Sequence, residues 1–203
     1  MKSIVIRLML VLAALAVVPN ALAADTSGGN IFVDAGVGRI FGKPLGSASG
    51  DSTGSQSGWG ADGGYLWKLD DQRAFGLELG YMHFGEVANE YDNSGRTQLS
   101  ASAMSLGANF QYLFGDDRAW VFQAHGGWTS VKFDNELDSF VDYSSGAGSQ
   151  RQSGIYFGLG IGRMLTQDFG VLLAYRNYTT GYVSGTGRSL DLNWIGLVAE
   201  YQF

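Results

Sequence analysis

Ile195-Gly196-Leu197-Val198-Ala199-Glu200-Tyr201-Gln202-Phe203, the last nine residues, place Ile, Leu, Ala, Tyr and Phe on one strand face and Gly, Val, Glu and Gln on the other. A terminus facing water has little use for an alternating strand ending in Phe203. A barrel strand in lipid needs apolar residues outward and an aromatic where hydrocarbon meets the interface.

The opposite end supplies the compartment. Lys2 and Arg7 precede an apolar run from Leu8 to Val18, followed by Pro19 and Ala21-Leu22-Ala23. That is a basic start, a short apolar segment and a small-residue cleavage site, as an export signal carries. Leu8–Val18 is too short to span a hydrocarbon core of roughly 30 Å. Residues 1–23 are therefore expected to be a cleaved signal peptide, and residues 24–203 a single barrel domain.

Without Lys2 and Arg7, the 13 basic residues fall to 11 against 19 acids, a net charge of −8. No basic patch suggests a nucleic-acid partner. The chain has no cysteine, which excludes a disulfide framework and a thiolate metal site. Thirty-one glycines against two prolines, with abundant aromatics, favour strands separated by turns.

Period two recurs eight times. The apolar faces are Ile31-Val33-Ala35-Val37, Trp59-Ala61-Tyr65-Trp67, Phe75-Leu77-Leu79-Tyr81, Met104-Leu106-Ala108-Phe110-Tyr112, Trp120-Phe122-Ala124-Trp128, Ile155-Phe157-Leu159-Ile161, Phe169-Val171-Leu173-Tyr175 and the terminal strand. Each is near the roughly 9–11 residues of a tilted membrane strand. Connections alternate in length. Leu69–Gln72, Phe114–Arg118 and Thr166–Asp168 are short and suit periplasmic turns, whereas Phe41–Ser57, Gly85–Ser100, Phe133–Ser153 and Thr179–Arg188 are longer, polar and expected to be extracellular loops. Both termini would then be periplasmic.

A soluble eight-stranded carrier has the same period but points its apolar residues inward. Here the second face carries Asp34, Asp62, Glu78, Asn109, Gln111, His125 and Arg176 among many glycines, a poor dry core. Aromatics gather near strand ends as interfacial girdles would. The expected fold is all-β, an eight-stranded antiparallel up-and-down transmembrane β-barrel in the Gram-negative outer membrane.

On the export signal, the eight alternating strands and the terminal Tyr201-Gln202-Phe203, the chain resembles the small outer-membrane β-barrels that include the OmpA transmembrane domain, OmpX/Ail proteins and the Neisserial surface protein NspA. The resemblance covers residues 24–203. It implies that the barrel-assembly machinery reads Phe203 and Tyr201. The peptidoglycan-binding domain of full-length OmpA has no counterpart in this sequence.

Within the lumen, Arg176 is the one basic residue placed deep, with Glu78 and Asp62 as its expected partners. Glu200 falls nearer the periplasmic end and Asp34 lies on the strand closing against the last one. An unpaired charge there would be costly. The pairs could gate a pore or plug the barrel, and the narrow interior of eight strands favours the plug. His125 has no serine two residues away and Gln123 and Gly127 on its own face, so a structural histidine is expected rather than a catalytic one. No cofactor, metal or enzymatic activity is expected.

The third long loop carries Asp134, Glu136, Asp138 and Asp142 with Phe140 and Tyr143. These acids could bridge to lipopolysaccharide phosphates through divalent cations, and the aromatics could dock a host or cell-surface partner. The spacing does not fit a calcium loop, and a solvated acidic loop is the simpler reading. Outer-membrane lipid, lipopolysaccharide, the assembly machinery and a surface ligand are thus the expected partners, with a structural or adhesion-like role. A narrow ion or small-solute channel is the alternative, and a lipid-modifying enzyme a more distant one.

Overall fold

The computed structural model describes residues 29–42, 56–91, 95–115, 117–139, 145–183 and 188–203. Eight strands follow one another: β1 (Gly29–Gly42), β2 (Gln56–Lys68), β3 (Arg73–Tyr91), β4 (Gly95–Phe114), β5 (Trp120–Ser139), β6 (Ser145–Met164), β7 (Phe169–Val183) and β8 (Arg188–Gln202). Each pairs antiparallel with its sequence neighbour, and β8 pairs with β1 to close the barrel. Closure leaves no unpaired edge, so backbone N–H and C=O groups can sit in hydrocarbon without water.

The outward and inward faces follow the alternation in the sequence. Leu79 is 57 % exposed and Ile155 65 % exposed, while Glu78, Gly80 and Tyr156 beside them are buried. A band of large exposed aliphatics this continuous is stable only against an apolar solvent. Aromatics border it. Near the short turns Tyr65 packs edge-on to Trp67 at 5.1 Å and Tyr112 stacks on Phe114 at 6.0 Å, and toward the opposite end Trp59 meets Tyr81 at 5.6 Å.

Leu79→Arg is expected to cost roughly 2–4 kcal/mol in a urea titration of folding into lipid vesicles, with Leu79→Phe tolerated, because a charge near mid-wall must leave water. Gly80, on the opposite face, has no room either. A Cβ there would collide with Asp62 Oδ1 and lie 2.6 Å from Ser105 Oγ. Gly80→Ser should therefore destabilise by about 1–3 kcal/mol through overpacking.

Two expectations change. The strands run 13 to 20 residues, so much of what composition marked as the loops Gly85–Ser100, Phe133–Ser153 and Thr179–Arg188 is paired backbone. Polar side chains signal water, but the ladder needs only a partner strand. Bulges between His83/Gly85 and Glu86/Ala88 bend the β3–β4 hairpin, with Gly85 at φ 68° supplying a conformation other residues adopt reluctantly. The lumen is also less polar than expected: Met82, Phe84, Val131, Tyr178, Leu192 and Trp194 are buried inside it. These inward apolar residues fill the barrel interior that a purely polar face would have left wet.

Candidate functional site

Three polar clusters tie opposite walls of the lumen. In the first, Arg176 on β7 donates from Nη1 to Asp62 Oδ2 on β2 at 2.5 Å, and its Nη2 lies 3.8 Å from Asp34 Oδ2 on β1. The Arg176 guanidinium also sits 5.8 Å from the Trp194 ring centroid. In the second, His125 Nδ1 on β5 is 2.7 Å from Glu78 Oε2 on β3, and Tyr156 on β6 donates its hydroxyl to Glu78 Oε1 at 2.7 Å. In the third, Glu200 on β8 accepts from Gln111 Nε2 at 2.9 and 3.1 Å, from Gln202 Nε2 at 2.7 Å and from Gln123 Nε2.

The structure thus joins Arg176 to Asp62 and Asp34. Glu78 does not reach Arg176 in a direct ion pair, because His125 and Tyr156 take its two oxygens. His125, Tyr156, Gln111, Gln123 and Gln202 were not picked out as partners from the sequence. Their signal was present: all five share the parity of the lumen-facing residues on their strands. Pairing across a barrel depends on tilt and stagger, which no local pattern carries.

Asp34 occupies the tightest electrostatic position. It stands directly opposite Asp62 on one side and Glu200 on the other, a spacing at which like charges repel. Neither of its carboxylate oxygens accepts a hydrogen bond from a described residue. Arg176 is therefore shared between two acids, and its removal would leave both uncompensated.

At the end bearing the short turns, a cavity of about 850 Å³ reaches inward to Gln111, Leu113, Met164 and Gln202. Its rim is stitched by ion pairs, Arg118 with Asp71 and Arg163 with Asp117, both at 3.4 Å. Hydrogen bonds from Arg73 and from the Gln72 backbone hold the Asp70 carboxyl down at about 2. The turn is therefore fully supported above the ordinary carboxylate range and loses that support progressively as pH falls from there through about 2. Phe203 closes the same end, its N–H donating to Ile31 O at 2.8 Å and its ring packing on Tyr201 at 4.7 Å.

At the other end, Lys132 neutralises Asp134 at 2.8 Å, and both are outside the lumen. Hydrogen bonds from Lys132 and Ser149 hold the Asp134 carboxyl below its usual range, with the charges of Lys132 and Arg151 adding to them. Glu136 and Asp138 lie on β5, facing Gln98 and Arg96 in register. Phe140, Asp142 and Tyr143 lie outside the described residues.

The family model for the outer membrane protein beta-barrel domain matches residues 8–203. Among solved structures, Ail of Yersinia pestis is similar over 87 % of this chain and 98 % of its own, with TM-score 0.53 and 12 % identity. The same protein in complex with the heparin analogue sucrose octasulfate matches over 88 % of this chain and 100 % of its own, with TM-score 0.53 and 11 % identity. A major outer membrane protein of Thermus thermophilus matches over 86 % of this chain and 99 % of its own, with TM-score 0.50 and 13 % identity. At these identities the likeness is one of fold. No curated relative matches the chain in sequence.

Proposed function

Because this chain belongs to the outer membrane protein beta-barrel family, we propose that it works as a plugged scaffold, presenting its long hairpins at the cell surface for structural or adhesive contacts. The observation that carries this reading is the contrast between the two halves of the molecule. The lumen is crossed by buried struts from Arg176 to Asp62, Glu78 to His125 and Glu200 to Gln111, whereas β3 to β6 extend to 19 and 20 residues. A stiff barrel carrying extended hairpins suits binding at their tips.

In this orientation residues 1–23 are removed on export, the short turns and both ends of the mature chain face the periplasm, and the hairpins face outward. The assembly machinery would read Phe203 and Tyr201, and lipopolysaccharide would surround the outer half of the wall. His125 serves as a strut, because Glu78 holds its Nδ1 and the ring is buried. A lipid-modifying enzyme would need its catalytic group where acyl chains arrive. Ail has been solved with a heparin analogue, which supports ligand binding by this kind of scaffold. The acids Glu136, Asp138 and Asp142 favour a different, less anionic ligand here.

The test is adherence of a non-adherent host strain to a cultured epithelial monolayer. Cells displaying the whole protein should adhere, and cells displaying a variant lacking residues 89–97 and 136–147 should not, at equal surface levels. Equal adherence of both would overturn the surface role. The cavity reaching Gln111 and Gln202 favours a channel as the second reading, which conductance decides.

A further inference from the structure

We propose that the outer wall of β3 to β6 carries a binding site for the phosphate of lipid A, formed chiefly by Lys132 and Arg151. This rests on the orientation above, in which the hairpin end adjoins the lipopolysaccharide leaflet.

The register arranges the outward side chains there in rows. Leu79, Leu106, Trp128 and Ile155 stand opposite one another across the four strands. The next row toward the hairpins is Tyr81, Met104, Ser130 and Ser153, and the one after that is His83, Ser102, Lys132 and Arg151. Hydrophobicity therefore ends within two rows, and cations appear where it ends. Lys132 and His83 each lie between buried residues, Val131 and Phe133 or Met82 and Phe84, which places both on the lipid side.

The small side chains of Ser100, Ser102 and Ser130 leave a depression of about 350 Å³ on this wall, bounded by Tyr81, Lys132, Asp134 and Arg151. That is at the low end of the roughly 300–1,000 Å³ of small-ligand sites. Lys132 and Arg151 are directly opposite each other, an arrangement that is repulsive without an anion between or beside them. Asp134 supplies one negative charge, to Lys132. Across Lys132, Arg151 and Asp134 one positive charge remains, facing the level where headgroups lie. A phosphate there would bridge the two cations and accept hydrogen bonds from serine hydroxyls, while its acyl chains ran down over Met104, Leu106 and Leu79. A soluble phosphate would gain only the first half of these contacts, which is why a lipid is the occupant.

The experiment uses the purified protein in phosphatidylcholine nanodiscs, titrated with bisphosphorylated lipid A and with the same lipid after dephosphorylation. Two variants remove cations, Arg151→Gln and the charge-balanced pair Lys132→Gln with Asp134→Asn. Arg163→Gln, at the opposite end, is the control. The phosphorylated lipid should bind the unaltered protein more tightly, and Arg151→Gln should weaken it about fivefold, as a contribution near 1 kcal/mol per interfacial cation implies. The control should match the unaltered protein, and millimolar inorganic phosphate should not compete. Equal binding of the two lipids, an equal loss with Arg163→Gln, or displacement by inorganic phosphate would overturn the proposal. Because none of these variants touches the hairpin tips, loss of adherence and loss of lipid binding fail separately.

Discussion

Arg176→Met is expected to destabilise the barrel by roughly 3–5 kcal/mol, the usual consequence of breaking a buried ion pair by removing one partner. Methionine keeps most of the side-chain volume, so the loss is electrostatic rather than a cavity. Asp62 loses its donor at 2.5 Å, and Asp34, opposite both Asp62 and Glu200, loses the cation 3.8 Å away. The double change Arg176→Met with Asp62→Asn should recover part of the loss, since one stranded charge is gone. Glu78→Gln should couple to Arg176→Met less strongly than Asp62→Asn does, because Glu78 is bonded to His125 and Tyr156 instead. Urea unfolding in lipid of the unaltered protein, the single variants Arg176→Met, Asp62→Asn and Glu78→Gln, and the two double variants measures these terms. Strong coupling of Arg176 to Glu78 and none to Asp62 would reverse the assignment of the strut.

Deleting Phe203 is expected to abolish accumulation in the outer membrane while leaving the isolated barrel able to fold. In the structure Phe203 contributes one seam hydrogen bond, to Ile31 O, and a ring contact with Tyr201. A single hydrogen bond contributes about 1 kcal/mol net, too little to unfold a closed eight-stranded ladder. Folding into vesicles should therefore survive, judged by heat-modifiable migration, while surface levels in cells collapse, as the proposed reading of the terminal aromatic by the assembly machinery requires. Normal surface levels of the shortened chain would contradict the role given to Phe203, and failure in vesicles as well would make Phe203 a structural residue.

The wall of the barrel was legible in the sequence because alternation is a local property: Leu77 and Leu79 face outward and Glu78 inward whatever their distant neighbours are. The hairpins were less legible. Polarity marks residues such as Thr97, Gln98 and Ser100 as loop, yet they pair with Leu137, Glu136 and Asp134, since a strand in water keeps its ladder without apolar side chains. The inward Phe84 and Trp194 are obscured for a related reason. They lie on the face whose acids and glycines dominated the composition. The lumen acids were recognisable from their parity, whereas the match of Glu78 to His125 and of Arg176 to Asp62 depends on which strands face each other across the interior. That is set by closure and stagger, and His125, lacking a nucleophile nearby in sequence, gave no hint that it held a carboxylate.

Current through planar lipid bilayers containing the purified, folded protein tests the central claim of a plugged scaffold most directly. Struts crossing the lumen in three directions and the buried Met82, Phe84, Tyr178 and Trp194 predict a baseline equal to that of protein-free membranes at moderate voltage. Steady, resolved single-channel steps, larger in Arg176→Met than in the unaltered protein, would show instead that the Arg176 cluster gates an open pore.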